Sequence, residues 1–158
     1  MAASFTVRPV NPLDREAWLE LWDAYNAFYG RTGPTALPAE VTRTTWARFF
    51  DPAEPVRALV AVQVAEDGDD RQIGFTHYLF HRSTSAIADN CYLQDLYTVP
   101  DLRGQGVGRA LIEAVYDKAR EAGAGRVYWQ THHTNETAMK LYDQVADNSG
   151  FLVYRKIL

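Results

Sequence analysis

Gly104, Gly106 and Gly108 stand between residues 91–99, which have strand character, and a run whose apolar positions Val107, Ala110, Leu111, Ala114, Val115 and Ala119 keep helical spacing. Glycine lets a backbone turn tightly and approach a ligand, and the first N–H groups of a helix have no partner inside it. A strand, a glycine loop and a helix start in that order therefore make a site for a phosphate-bearing ligand. Two familiar phosphate loops fail on spacing. No Lys-Ser or Lys-Thr pair follows the glycines, as a nucleotide-triphosphate loop requires. A dinucleotide site requires an acidic residue at the end of the next strand, and residues 126–131 end in Gln130 and Thr131.

A third pattern fits. Arg103-x-x-Gly106-x-Gly108 resembles the Arg/Gln-x-x-Gly-x-Gly/Ala signature of the GNAT superfamily of acyl-CoA-dependent N-acetyltransferases. Tyr92-Leu93-Gln94-Asp95-Leu96-Tyr97 before it and Asn135-x-x-Ala138-Met139-x-Leu141-Tyr142 after it are similar to the flanking strand and helix of the small histone and polyamine-type members. The resemblance implies a single α/β (α+β) domain over 1–158, with a mixed central sheet of six to seven strands and helices on both faces. It also implies acetyl-CoA as donor, a primary amine as acceptor, and direct attack in a ternary complex. Backbone groups of Leu96, Tyr97, Thr98 and Val99 are then expected along the pantetheine arm. The pyrophosphate falls to Arg103, Gly104, Gln105, Gly106, Val107, Gly108 and Arg109, and Asn135 touches the pantetheine or acetyl end. Many such proteins are dimers, and the apolar run Phe151-Leu152-Val153-Tyr154 reads equally well as an internal strand or as one paired across a homodimer interface.

Amine acetylation sets two proton problems. An amine with a pKa near 10.4 is neutral in only on the order of one molecule in two thousand at pH 7, a deficit of about 4 to 5 kcal/mol, so a proton acceptor is expected beside it. The leaving thiolate needs one positioned hydroxyl. By resemblance that hydroxyl belongs to Tyr142. The acceptor of the amine proton stays open. Polyamine-type relatives carry Glu-Asp where this chain has Gln94-Asp95, and glutamine cannot take a proton. Asp95, a carboxylate from elsewhere such as Asp89 or Glu136, or ordered water are the candidates. Regular alternation puts Asp95 on the face opposite Gln94, and a bulge would re-aim either one. Tyr25, Tyr29 and Gln94 are the expected acceptor-binding residues. A CoA-binding sensor of the same fold, without an efficient base, is the alternative function.

The remaining elements follow in chain order. Residues 4–10 suggest a strand. Asp14 caps or starts a helix whose apolar stripe is Trp18, Leu21, Trp22, Tyr25 and Phe28, ended by Gly30. A second helix is expected from Pro38 or Ala39 to Phe50. Residues 56–65 and 71–81 form a hairpin over the polar turn 66–70, whose acidic spacing lacks a calcium-loop pattern. After residues 91–99 and the glycine-loop helix come a strand over 126–131, a helix carrying Ala138, Leu141, Tyr142 and Val145, and a closing strand over 151–158.

A net charge of −4 argues against a nucleic-acid partner. No apolar run approaches a membrane span, and residues 1–10 lack a leader pattern, so a cytoplasmic location is expected. No metal site is expected. His77 and His81 would lie about 13 Å apart in a strand, and the adjacent His132 and His133 would point apart, although either could line the cleft. The lone Cys91 fits a buried strand position better than a nucleophile.

Overall fold

The computed structural model describes residues 4–158; the first three residues of the stretch read for a leader lie outside them. The chain forms two compact units, the first running to Tyr128 and the second Trp129–Leu158.

The first unit is a five-stranded sheet in the order β1-β2-β3-β4-β5. Strands β1 (Phe5–Pro9), β2 (Val56–Val64), β3 (Asp70–His81) and β4 (Asn90–Thr98) are antiparallel neighbours, and β5 (Arg126–Tyr128) runs parallel to β4. The mixed α/β class is as expected, with five strands among the described residues where six to seven were anticipated.

Helices cover both faces of this sheet. On one lie α1 (Arg15–Phe28) and α2 (Ala39–Arg48), whose Trp18, Trp22, Tyr25 and Trp46 rings, with that of Phe49 just after α2, pack against one another and on Phe75 and His77 of β3. On the other lies α3 (Val107–Glu121), with Val107, Leu111, Ile112, Val115 and Ala119 buried. Gly74 makes this second contact possible. A Cβ there would stand 2.7 Å from the Tyr97 carbonyl oxygen and 3.2 to 3.3 Å from Leu111 and Val107, so only glycine lets α3 settle against the β3–β4 pair.

The stripe of α1 is buried at Trp18, Leu21, Trp22 and Tyr25, but Phe28 is 66% exposed and Asn26 is buried in its stead. The helix ends before Phe28 can reach the sheet. Gly30, at φ 77°, turns the chain so that its N–H donates to Ala27 O and that of Arg31 to Asn26 O, the paired bonds of a Schellman close. Asp14 stands at the N-cap position where α1 starts, as expected, but its side chain makes no capping bond there. It is buried beside β1, accepting from Arg8 Nη1 and Nη2 at 2.7 and 2.9 Å and from the Asn11 N–H at 2.8 Å.

The expected strand over 126–131 is cut to three residues for a reason that lies in β4. His77 faces Asp95 and Tyr78 faces Leu93, which leaves Gln94 as the extra residue of a bulge. The β4–β5 ladder stops at Tyr92 opposite Tyr128, just before that bulge, and from there on β4 has no strand on its second edge among the described residues.

In the second unit, α4 (Glu136–Val145) carries Tyr142, whose ring meets that of Trp129 edge-on at 5.4 Å. Residues 151–158 form no strand. An apolar run does not make a strand without a ladder to join, and Phe151, Leu152, Val153 and Tyr154 are 67 to 91% exposed. His132 and His133 do not point apart; their rings stack at 4.5 Å.

Candidate active site

The bulge at Gln94 decides what the first unit can do. It shifts the alternation of β4 by one residue, so that Leu93 stays with Tyr78 while Asp95 turns to the face of His77, under α1. Gln94 itself is exposed. On that face Asp95 is held at both oxygens. Tyr25 donates its hydroxyl to Oδ1 at 2.7 Å, and His77 Nδ1 lies 2.9 Å from Oδ2. The backbone is fixed as well, since the buried Thr76 hydroxyl donates to Asp95 O at 2.8 Å.

The histidine's state follows from its other nitrogen. Trp18 Nε1, which can only donate, lies 3.0 Å from His77 Nε2. Nε2 must therefore accept, so the imidazole is neutral and its proton sits on Nδ1, pointing at Asp95. His77 is 3% exposed and packed among Trp18, Trp22, Phe49 and Phe75, so no water replaces either bond. Trp18, His77, Asp95 and Tyr25 thus form one line of hydrogen bonds that ends at a tyrosine hydroxyl. Burial first, then the charge of Asp95 and the hydrogen bond to it, push the Tyr25 hydroxyl far above its ordinary range. Tyr25 keeps its proton and donates it in a hydrogen bond to Asp95, and its oxygen retains lone pairs for a donor on the other side.

Of the expected acceptor residues, Tyr25 and Tyr29 come together, rings 5.0 Å apart and edge to face, with the Arg31 guanidinium 5.9 and 5.4 Å from their centroids. His77, Trp18, Asn26 and Arg31 are the residues that sequence reasoning missed. A signal existed for His77: it stands two residues after the inward-facing Phe75, as Asp95 stands two before Tyr97, so each is a polar residue at an apolar parity.

The glycine loop has the backbone that a pyrophosphate site needs. Gly104 and Gly106 adopt φ 76° and 87°, and α3 starts directly after Gly106, whose carbonyl accepts the first helical bond from Ala110 N. The N–H groups of Val107 and Gly108 thus precede the helical ladder. Arg103 folds back on the end of β4, with Nε donating to Thr98 O at 3.1 Å and the guanidinium 5.7 Å from the Tyr97 ring; Arg109 pairs with Glu113 at 3.8 Å. Beside the loop, Leu96, Tyr97 and Thr98 lie on the stretch of β4 whose second edge has no strand. In the second unit, Asn135 precedes α4, its Nδ2 donating to Thr131 Oγ1 at 3.3 Å and its carbonyl accepting from Met139 N. Cys91 is fully buried, which pushes its thiol up to about 11 and makes it inert. Among the described residues no cluster of His, Cys, Asp or Glu could hold a metal, and no helix is long and apolar enough to cross a membrane.

The chain is similar to known proteins over most of its length. Residues 18–146 match the acetyltransferase (GNAT) family model. The chain is 41% identical over 150 residues to the D-amino-acid N-acetyltransferase of Saccharomyces cerevisiae, which covers 95% of this chain and 89% of that protein. It is 36% identical over 70 residues to the thialysine N-epsilon-acetyltransferase of Bos taurus, covering 44% and 41% of the two chains. The structure of AAC(6')-Iy in complex with the bisubstrate analogue CoA-S-monomethyl-acetylneamine shares the fold, with a TM-score of 0.78 at 18% identity over 99% of this chain and 100% of that one.

Proposed function

The chain belongs to the GNAT family and is an acetyl-CoA-dependent N-acetyltransferase, and on that premise we propose that it acetylates the primary amine of a small polar molecule, amino acids foremost, with Asp95 as the proton acceptor acting through Tyr25. The observation that carries this reading is the 2.7 Å bond from the Tyr25 hydroxyl to an Asp95 carboxylate already held by His77.

In the reaction the amine nitrogen bonds to the acetyl carbon as the carbon–sulfur bond breaks. The nitrogen gains positive charge as it attacks and must lose a proton. In our reading Tyr25 accepts that proton on its oxygen while passing its own to Asp95 Oδ1, so no free phenolate forms. On this reading the glutamate missing at Gln94 is not needed, because a carboxylate one residue later is turned to the α1 face and extended outward by a tyrosine. The released thiolate takes a proton from Tyr142, a role supported by its place in the Asn135-x-x-Ala138-x-x-Leu141-Tyr142 pattern. The glycine loop and the open edge of β4 are the groups we assign to the pyrophosphate and the pantetheine arm.

The family match over 18–146 runs through both compact units, which supports reading 1–158 as one domain. The run Phe151, Leu152, Val153 and Tyr154 is apolar and exposed, which supports a homodimer. A composition with one cysteine and a mild negative charge supports a cytoplasmic setting.

The test is thiol release from acetyl-CoA with D- and L-amino acids, thialysine, a polyamine and an aminoglycoside. Turnover with amino acids, strongly reduced by Tyr142→Phe, is the expected result. Acetyl-CoA binding without turnover on any amine would support the sensor instead.

A further inference from the structure

Asn26 is a polar side chain buried to 4% exposure in the middle of an aromatic helix face, where an unpaired amide costs about 1–3 kcal/mol. Its bonds show what it is for. Nδ2 donates to Trp22 O at 2.8 Å, which fixes the amide's orientation, and Oδ1 then accepts from Arg31 Nε at 2.6 Å. The Asn26 carbonyl accepts from the Arg31 N–H at 2.9 Å through the Gly30 turn. Backbone and side chain of one arginine are thus both held by one buried residue, and its guanidinium is laid against Tyr25 and Tyr29. Only Nε is used in this grip. Neither Nη has a hydrogen bond or an ion pair among the described residues, so the outer edge of the fork, the part that binds a carboxylate through two parallel bonds, is presented ready-made.

Tyr25 joins this arginine to the proposed base. Arg31 lies over its ring and Asp95 receives its hydroxyl, so one aromatic side chain carries a fixed positive charge at its face and a fixed negative charge at its tip. A molecule that brings an ammonium to the Tyr25 oxygen and a carboxylate toward Arg31 complements both.

We propose that Arg31 is the specificity-determining residue for the acceptor, selecting amines that carry a carboxylate, and that Asn26 is the positioning residue that holds it. The inference rests on the amine-acetyltransferase reading above and names its substrate class. Two of the similar proteins, the D-amino-acid and the thialysine acetyltransferases, are named for acceptors of that chemistry. A cation at the C-terminal end of α1 also complements the helix dipole, but that role would be indifferent to the substrate's charge.

The experiment compares D-phenylalanine with D-phenylalaninamide, the same amine with its carboxylate neutralised, in wild type, Arg31→Gln and Arg31→Lys. Wild type should prefer the acid. Arg31→Gln should lower kcat/KM for the acid roughly 10- to 100-fold, mainly through KM, and change the amide less than about threefold, while Arg31→Lys recovers part of the loss. Asn26→Ala should weaken the acid selectively as well. An equal loss on both substrates, or a wild type indifferent to the carboxylate, would overturn the assignment of Arg31. A wild type that acetylates polyamines but no amino acid would overturn the acceptor reading itself, whatever the variants do. Thermal unfolding of each variant separates these outcomes from loss of fold.

Discussion

His77 Nδ1 lies 2.9 Å from Asp95 Oδ2 across the β3–β4 ladder, with the other imidazole nitrogen accepting from Trp18 at 3.0 Å. The pair is as much a structural feature as a chemical one: it welds α1 to two central strands and leaves Asp95 a single free direction, toward Tyr25. Replacing His77 by Phe keeps the ring volume and strands both the buried Trp18 N–H and one oxygen of the part-buried Asp95 carboxylate. Stability should fall by about 2–4 kcal/mol, read by urea unfolding. Nitrogen-15 spectra of the wild-type imidazole should show the Nδ1–H tautomer; an Nε2–H signal would break the line of bonds.

Much of this arrangement was legible in the sequence wherever one element carried the whole signal. Trp18, Leu21, Trp22 and Tyr25 declared a buried helix face, and the glycine loop declared both a turn and a helix start. The line of polar contacts was not legible because its members are far apart in the chain. His77 and Asp95 are 18 residues apart, Trp18 and His77 are 59, and Tyr25 and Asp95 are 70. Only the register of β3 and β4, the bulge at Gln94 and the packing of α1 on that face bring them together. Residues 151–158 failed in the opposite sense, since an apolar run promised a strand for which the described residues supply no neighbour. Asn26 has no place in the apolar stripe of α1, and its burial depends on where Gly30 ends the helix.

The two ends of α3 provide an internal control for the phosphate loop. Gly106 and Gly123 have φ 87° and 76°, and a Cβ at either meets nothing within 4 Å. Gly106→Val and Gly123→Val should each cost about 1–3 kcal/mol from backbone strain alone. Only Gly106→Val should weaken acetyl-CoA binding, by at least about tenfold, measured by calorimetry. Equal binding in the two variants would make the loop purely structural.

The buried Asp14 sets an acid limit on stability. Burial by itself would raise its carboxyl, but the hydrogen bonds from Arg8, the Asn11 N–H and the Arg8 charge outweigh it and hold the group below the usual carboxylate range. A depressed folded-state value means that the carboxylate's contribution is complete above the unfolded value near 3.9 and is lost as pH falls through the folded one. Asp14→Asn should therefore destabilise the protein by about 1–3 kcal/mol at pH 7, and the gap to wild type should narrow only below about pH 4. Urea unfolding at pH 7 and pH 3 checks both statements.

The account turns on Tyr25 and Asp95 acting in series on one proton. The most direct measurement is a double-mutant cycle of kcat at saturating acetyl-CoA for Tyr25→Phe, Asp95→Asn and the pair, on the best amine and with variants shown to be folded. Each single change should lower kcat by about 100-fold or more, and the double variant should be no slower than the slower single one, because a broken relay cannot be broken twice. Losses that multiply, or a Tyr25→Phe enzyme with wild-type turnover, would contradict the relay.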